Sequence, residues 1–156
     1  MEKEILIKLL DLPYEKLPKI PIRRYESACY DVFGSWMKQD KELITIGLGF
    51  GTELPDNIMG CIVPSKGITN YNLIVQNSHK QIAPDYRGEW IVKFRIINRS
   101  FFHRLFGIYR NPIDLNDKKG ICQIYFAPII PVKFKLTNEL KETKKVNEAF
   151  TDEVIF

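Results

Sequence analysis

The sequence predicts a single all-β domain, and two observations support this fold class. Helical periodicity is weak along the 156 residues, whereas short runs rich in β-branched and aromatic residues alternate with turn residues. Apolar residues make up 45% of the chain and charged residues 27%, a balance typical of a globular protein with a sizeable core. Many short strands at fairly even spacing are typical of a sandwich, a jelly roll or a barrel.

Seven segments favour strands, and one earlier stretch, Ile5–Leu10, is compatible with either a helix or a strand. The predicted strands are Ser27–Phe33, Leu43–Phe50, Asn57–Val63, Leu73–Gln76, Glu89–Asn98, Gly120–Phe126 and Val132–Leu136. Residues that favour turns separate them, at Pro55–Asn57, Pro64–Gly67, Pro84–Asp85 and Asn111–Pro112.

The two ends of the chain differ in composition. Residues 12–24 contain three prolines, which predict an extended entry arm. Residues 137–148 are charged and predict a solvated segment, whereas Phe150 and the final Val-Ile-Phe are too apolar for a purely solvated end. We therefore expect a β-domain over residues 1–136 and a C-terminal arm over 137–156, which docks either on its own domain or on a neighbouring subunit.

Charge and cysteine content exclude several classes of protein. The chain has 23 Lys and Arg against 19 Asp and Glu, a formal charge of +4, which suits a small anionic ligand but not a nucleic acid. No apolar run reaches the ~20 residues of a membrane span, and the N-terminus does not resemble a signal peptide. Three widely spaced cysteines, Cys29, Cys61 and Cys122, predict neither a disulfide framework nor a metal site, so we expect a cytoplasmic protein.

Common catalytic and nucleotide-binding motifs are absent from the sequence: it has no GxGxxG, Walker A, GxSxG or HExxH. One longer stretch is specific, however. Residues 48–67, LGFGTELPDNIMGCIVPSKG, resemble the dUTPase pattern that leads to the PRSG motif. The resemblance continues through the hairpin Asn72–Ser78 to Ile82–Glu89, IAPDYRGE, which is similar to the family's ID-x-DYRGE.

Further matches extend this resemblance over most of the chain, from about Tyr25 to Phe150. Ser27–Val32 is similar to SAGYDL, and Gly120–Phe126 is similar to the RIAQLIF strand. The resemblance implies a jelly-roll β-barrel of the β-clip type and a homotrimer with three sites between subunits. In the family, the C-terminal arm of one chain closes a neighbour's site, and the reaction is hydrolysis of dUTP to dUMP and pyrophosphate with Mg²⁺.

The resemblance also assigns residues to a base and sugar pocket. Asn72 and Asn77 bound the hairpin that reads uracil through backbone groups in the family, and Asn72 stands where the family usually has Gly. Asn tolerates a positive φ better than most residues, so this change is mild. Tyr86 matches the tyrosine under the deoxyribose, although the DYRG residues serve equally well as a structural turn. Asp31 matches an acid that is mainly structural.

The chemistry of the family is altered in this sequence. Its catalytic carboxylate falls at Ala83, whose methyl group accepts no proton and holds no water, and general-base help is worth ~10²–10⁴ in rate. Asp85, two residues on, is a candidate substitute: an extended backbone would place it on the same side as Ala83, whereas a turn at Pro84-Asp85 leaves its direction open.

The phosphate-binding residues are altered as well. The Arg-Ser pair of the family becomes Ser65-Lys66, followed by Gly67, and Lys66 lacks the bidentate fork of Arg. These residues are either a phosphate site or a polar turn. Gln123 matches a glutamine that contacts phosphate in the family.

The C-terminal arm and one insertion differ most from the family. Every glycine of the Gly-rich arm is replaced, and Phe150, which matches the phenylalanine that stacks on uracil, either caps a ligand or anchors the arm. The insertion Phe101–Pro112 interleaves aromatics with Arg104 and Arg110, and it is either a partner surface or a hairpin packed on the domain.

Because the base, the phosphate loop and the arm all differ, we expect a divergent member of the family that has lost efficient hydrolysis, and a phage origin is compatible with this. Such a protein would bind, sequester or sense a nucleotide-type ligand, with no catalytic residue and no metal of its own. The alternative is an active pyrophosphatase on dUTP or a modified deoxynucleotide, with a rebuilt site and Mg²⁺. A second alternative is a protein-binding scaffold that uses residues 101–112.

Overall fold

The computed structural model describes residues 4–11, 16–25, 27–65, 68, 72–76, 79–97, 112–115 and 120–136. These residues form strands without a helix. In chain order the strands are β1 (Leu6–Leu9), β2 (Ile22–Arg23), β3 (Tyr30–Val32), β4 (Trp36–Asp40), β5 (Leu43–Gly47), β6 (Phe50–Glu53), β7 (Ile58–Pro64), β8 (Leu73–Val75), β9 (Lys80–Ile82), β10 (Ile91–Ile96) and β11 (Cys122–Pro128).

Antiparallel pairing joins the strands into three sheets. One sheet has the order β4-β5-β10-β8, a larger one has the order β2-β3-β11-β7-β9, and β1 pairs with β6 in a separate ribbon. The prediction of an all-β chain is confirmed. The predicted closed barrel is not found among the described residues, because β4 and β8 end one sheet and β2 and β9 end the other without a ladder partner across the gap.

The core contains side chains of both larger sheets and of the loops that join them. Strand β10 alternates strictly, with Val92 and Phe94 buried and Lys93 exposed, as expected when one face of a strand meets the core. Phe50 and Trp90, both fully buried, pack against each other with their ring centroids 5.5 Å apart and their planes tilted by 40°. Burying one such side chain contributes roughly 1.5–3 kcal/mol, so this pair fixes the segment that enters β10.

Two predicted strands are corrected by the structure. The segment Leu43–Phe50 is divided between β5 and β6, because Gly49 adopts a φ of +72° and the Ser35 hydroxyl donates to the Leu48 carbonyl. The segment Val132–Leu136 forms no strand, and Phe134 is 94% exposed. An apolar alternation gives a strand only where a neighbouring strand pairs with it, and none of the described strands does so here.

Four strands were not predicted as such, and Ile5–Leu10 is resolved in favour of strand β1. The missed strands are β2, β4, β6 as a separate strand, and β9. Strand β4 ends in the polar residues Lys38–Asp40, as is common at a sheet edge. Its hairpin turn to β5 places Lys41 at a φ of +51°, a position where the sequence signal would be Gly or Asn.

Most of the insertion and the whole C-terminal arm lie outside the described residues. Residues 98–111 and 137–156 belong to this part of the chain, so the domain boundary at residue 136 stays a prediction. Within the described ranges, no helix has the length and apolar character needed to cross a membrane.

Candidate active site

A tight turn follows strand β9 at the position where the resemblance predicts catalysis. The Tyr86 amide donates to the Ala83 carbonyl at 3.1 Å, which closes a four-residue turn with Pro84 and Asp85 in the middle. Proline suits the second position of such a turn because its φ is already fixed near the required value. The Arg87 guanidinium donates to the Pro84 carbonyl and holds the turn from its far side.

This turn decides where Asp85 can act. An extended backbone would direct Asp85 to the same side as Ala83, but residues 83–86 form the turn that Pro84-Asp85 predicts, so strand alternation does not set the direction of Asp85. Asp85 is exposed, and together with Ala83 and Tyr86 it lines a cleft of about 360 Å³. The carboxylate that the sequence offers as a substitute therefore lies in the same cleft as the alanine.

Tyr86 is anchored at its hydroxyl end. The hydroxyl donates to the Glu89 carbonyl at 2.9 Å, and 40% of the residue is exposed. Gly88 allows this approach, because a Cβ there would lie 2.6 Å from the Tyr86 hydroxyl oxygen. The result is an aromatic ring with a fixed position and an accessible surface, which is suited to pack against the sugar or base of a ligand.

Glu89 joins this turn to the scaffold. Its carboxylate accepts from the Trp36 indole N–H at 3.0 Å and from the Gly49 amide at 2.8 Å. Gly47 makes room for this arrangement, since a Cβ there would lie 2.0 Å from the Trp36 indole nitrogen. Glu89 therefore positions the loop by contacts with strand β4 and with the backbone between β5 and β6.

Asp31 and Gln123 form a second polar cluster on strands β3 and β11. The Gln123 amide nitrogen donates to the Asp31 carboxylate at 2.9 Å, and Arg24 forms an ion pair with the same carboxylate at 2.6 Å. Asp31 and Gln123 face each other across the ladder. Burial, together with the charge of Asp31, raises the pKa of the neighbouring Cys122 thiol well above its usual range, so Cys122 stays protonated. These contacts favour a scaffold role for Asp31.

The remaining predicted ligand-binding residues are only partly described. The Ser65 hydroxyl donates to the Ile121 carbonyl at 3.3 Å, which ties the end of β7 to the start of β11. Asn72 adopts a φ of +53°, as expected for an asparagine in place of glycine, and its carbonyl accepts from the Ile97 amide at 2.7 Å. Four predicted ligand-binding residues lie outside the described residues: Lys66, Gly67, Asn77 and Phe150.

The structure therefore brings some predicted residues together and keeps others apart. Ala83, Asp85 and Tyr86 share one cleft, whereas Ser65 and Gln123 are not among the residues that line it. Ser65 follows β7 and Gln123 lies on the adjacent strand β11, so these two belong to one end of the five-stranded sheet. Their roles in ligand binding stay predictions.

Lys80 was missed by sequence reasoning. It lines the same cleft as Asp85 and is half-buried at the start of β9, where its ammonium donates to the Ile91 carbonyl at 2.7 Å. Burial and the positive charge of Lys93 lower the pKa of Lys80. The available signal was its spacing from Ile82, because alternate residues of a strand share a face and Ile82 is buried.

No group of three or more His, Cys, Asp and Glu side chains that could hold a metal occurs among the described residues. Mg²⁺ is usually bound by one or two carboxylates and by the phosphates of a substrate, and it keeps several waters. The donor set of this cleft, with Asp85 as its carboxylate, fits a Mg²⁺ that arrives with a triphosphate rather than a resident ion.

Solved structures with the same fold are dUTPases. The chain matches a mutant of the dUTPase of phage 80alpha with a TM-score of 0.71, at 16% identity over 98% of this chain and 100% of that one. It matches the dUTPase of phage phi11 of S. aureus with a TM-score of 0.67, at 18% identity over 90% of this chain and 100% of that one. The fold defined above is therefore the dUTPase fold.

Curated relatives carry the name deoxyuridine 5'-triphosphate nucleotidohydrolase. One, from Gamma-proteobacterium EBAC31A08, is 26% identical over 142 residues, which cover 85% of this chain and 94% of the relative. Another, from Bdellovibrio bacteriovorus, is 31% identical over 107 residues, which cover 68% of this chain and 63% of the relative. No protein-family model matches the chain. The relatives and the solved structures together support the dUTPase family.

These relatives also correct the main functional expectation. The altered site predicted a binding or sequestering protein without efficient hydrolysis, and that prediction is wrong: the relatives are named as hydrolases of deoxyuridine triphosphate, which supports the alternative of an active nucleotidohydrolase. Ala83 stands where the family resemblance places a catalytic carboxylate, but another carboxylate, that of Asp85, lines the same cleft.

Proposed function

We propose that this chain is a dUTP nucleotidohydrolase that cleaves dUTP to dUMP and pyrophosphate with a rebuilt catalytic turn. The names of its relatives supply the reaction. The observation that carries the proposal is that Asp85, Ala83 and Tyr86 line one cleft on the turn after β9. Within this cleft, the carboxylate can act as the general base for an attacking water, and the exposed aromatic ring can pack against the nucleoside.

Asp85 is the group that orients the attacking water in this proposal. An ionised carboxylate accepts hydrogen bonds only, so it can hold a water by one hydrogen and take up the proton as the water oxygen attacks phosphorus. The bond that forms joins the water oxygen to the α-phosphorus, and the bond that breaks joins the α-phosphorus to the oxygen that bridges it to the β-phosphorus, so that this oxygen leaves with pyrophosphate. Tyr86, fixed through its hydroxyl to the Glu89 carbonyl, supplies a packing surface for the nucleoside.

Mg²⁺ bound to the triphosphate would neutralise phosphate charge and polarise the phosphoryl oxygens. Among the residues that line the cleft, Asp85 is the carboxylate that can meet such a complex, and Lys80 is a cation at the rim. In this proposal Asp85 acts by orienting the complex, and Lys80 acts by its positive charge.

Assembly into a trimer is part of the proposal. It is supported by an extended segment after β11 in which alternate apolar residues are exposed, with Ile130 at 76% and Phe134 at 94%. Alternate apolar side chains in an extended segment are suited to cover a second surface, and the resemblance implies a neighbouring subunit. In this arrangement residues 137–156 form an arm that reaches the next subunit. An origin in a phage stays a prediction.

The test is a pyrophosphate-release assay with dUTP and Mg²⁺ on the wild-type chain and two matched variants. Asp85→Asn keeps the size of the side chain and removes its basicity, so we expect kcat to fall by roughly 10²–10⁴-fold. Asp40→Asn is the control, since Asp40 lies at the exposed end of β4 and does not line the cleft. We expect its kcat to equal that of the wild type.

Two outcomes would contradict different parts of this proposal. If the wild type releases no pyrophosphate from dUTP or from other deoxynucleoside triphosphates, the chain is not a nucleotidohydrolase. If the wild type is active and Asp85→Asn retains its kcat, the reaction stands and Asp85 is not the base. Tyr86→Ala then separates binding from chemistry, because loss of the packing surface raises KM more than it lowers kcat.

A further inference from the structure

A second cleft shares Lys80 with the cleft of the proposed catalytic turn. It has a volume of about 250 Å³ and is lined by Val75, Gln76, Lys80, Ile91, Val92 and Lys93. The cleft forms where strand β8 ends beside β10. Strand β8 pairs with β10 only from Leu73 to Val75, and the Gln76 amide then donates to the Lys93 carbonyl at 2.8 Å.

Lys80 occupies the gap that the end of β8 leaves beside β10. Its ammonium donates to the Ile91 carbonyl at 2.7 Å, and Ile91 is the first residue of β10. An ammonium carries three hydrogens, so one of them meets this carbonyl and two remain for another acceptor. The side chain therefore enters the cleft with its charged end held at a known point.

The cleft concentrates positive charge without a matching carboxylate. Lys80 and Lys93 both line it, and the ion pairs seen among the described residues, Arg24–Asp31 and Arg87–Glu53, involve neither lysine. Burial, and to a smaller extent the positive charge of Lys93, lower the pKa of Lys80, as expected for a half-buried ammonium group in a cleft that it shares with a second lysine. An anion in this cleft would favour the charged form of Lys80.

We propose that this cleft binds a single phosphate-type anion between the ammonium groups of Lys80 and Lys93. The apolar side chains of Val75 and Ile91 form part of its lining and lower the local dielectric, which strengthens a charge-assisted hydrogen bond. This site lies beyond the proposed hydrolase site, because its lining includes neither Asp85 nor Tyr86. Lys80 borders both clefts and is the residue that could link their occupancies.

A purely structural role for Lys80 is the competing explanation. In that case the lysine connects β9 to β10 through the Ile91 carbonyl, and its replacement lowers stability without any effect on anion binding. Lys93 has no such structural contact through its side chain among the described residues, and it lies at an exposed position of β10. Lys93 variants therefore test the anion site without disturbing the connection between strands.

The experiment is a titration with inorganic phosphate, followed by thermal unfolding at constant ionic strength and without nucleotide. The variants are wild type, Lys93→Met, Lys80→Met and the control Lys16→Met, which removes an exposed lysine that lines neither cleft. We expect a saturable rise in Tm for the wild type and for Lys16→Met. In Lys93→Met we expect the apparent affinity for phosphate to fall by about tenfold or more, the effect of losing one charge-assisted hydrogen bond.

Superimposable phosphate titrations of wild type and Lys93→Met would overturn the proposal, as would a rise in Tm that never saturates. Because nucleotide is absent, these results are independent of whether the chain hydrolyses dUTP. The source of the anion is tested separately, by the KM for dUTP. A raised KM in Lys93→Met shows that the anion is a phosphate group of the nucleotide, whereas an unchanged KM with weakened phosphate binding shows that it is free phosphate.

Discussion

The two halves of the segment from Ala83 to Trp90 behave differently although they form one continuous motif. The first half, the turn around Pro84 and Asp85, is exposed and its hydrogen bonds stay within the turn and Arg87. The second half is held by the rest of the molecule: Glu89 accepts from the Gly49 amide, and Trp90 is fully buried against Phe50.

This difference explains why a preserved motif does not by itself report catalysis. Tyr86, Gly88 and Glu89 have contacts within the chain that require their side chains, or the absence of one, for the fold. The side chains of Ala83 and Asp85 have no comparable structural contacts among the described residues. A catalytic side chain at these positions can therefore be replaced with little loss of stability. In the proposed function the exposed half supplies the reacting group, and the buried half holds it in place.

The largest expected effect on stability comes from the buried half. Trp90→Ala removes a fully buried indole that packs on Phe50, and we expect the free energy of unfolding to fall by about 3–5 kcal/mol in urea denaturation. The indole N–H has no hydrogen-bond partner among the described residues, so Trp90→Phe loses packing but no hydrogen bond and should cost clearly less. Equal losses for the two variants would contradict the packing argument.

The next largest effect on stability is expected from the hydrogen bonds of the Glu89 carboxylate. Oε1 of Glu89 accepts from both the Gly49 amide and the Trp36 indole, and Oε2 accepts from the indole at 3.2 Å. Glu89→Gln removes the negative charge and replaces Oε2 by a donor that faces the indole N–H, and we expect a loss of about 1–3 kcal/mol in the free energy of unfolding. Glu53→Gln is the matched control, because its 3.9 Å ion pair with Arg87 is exposed and is worth at most about 1 kcal/mol. A Glu89→Gln variant as stable as the control would show that the two halves are not joined by this carboxylate.

In the exposed half we expect a gain of function. Ala83→Asp places a carboxylate at the position that the family resemblance assigns to catalysis, in the cleft that Asp85 already lines. We expect kcat for dUTP to rise by about tenfold or more, toward the range that general-base help provides, with the unfolding free energy changed by less than about 0.5 kcal/mol. Steady-state pyrophosphate release measures the first quantity. An unchanged or lower kcat would show that the turn holds position 83 away from the reacting phosphate.

The smallest effect is expected from the titration of Lys80. Since its pKa is lowered in the folded chain, the unfolded chain binds more protons between that pKa and the ordinary value of 10.5. Stability contributed by this group therefore rises with pH through that window and is lost as pH falls toward the folded pKa. As pH rises through this window, we expect the free energy of unfolding of the wild type to increase relative to that of Lys80→Met, measured by denaturation at several pH values. Added sulfate should make this pH-dependent increase smaller, because it favours the charged form of Lys80.

The strand content of the chain was predictable because alternation and turn residues act locally. The segments around Asn57–Val63 and Gly120–Phe126 were placed to within about two residues of β7 and β11. Strands without that local signal were missed, as in the case of β4 with its polar end and of β9 with only three residues. Val132–Leu136 shows the opposite error, since its alternation is real but the partner strand is absent from the described part of the chain.

The sequence by itself determined the all-β class, the family resemblance, and the loss of a carboxylate at position 83, because composition, motifs and residue identity require no knowledge of distance. Only the tertiary structure decided that Asp85 shares a cleft with Ala83, that Glu89 is held by Trp36 and Gly49, and that Lys80 and Lys93 line one cleft with Ile91. Each of these depends on which strands become neighbours. Register and sheet order place residues that are tens of positions apart within a hydrogen bond of each other, and a linear pattern does not contain that information.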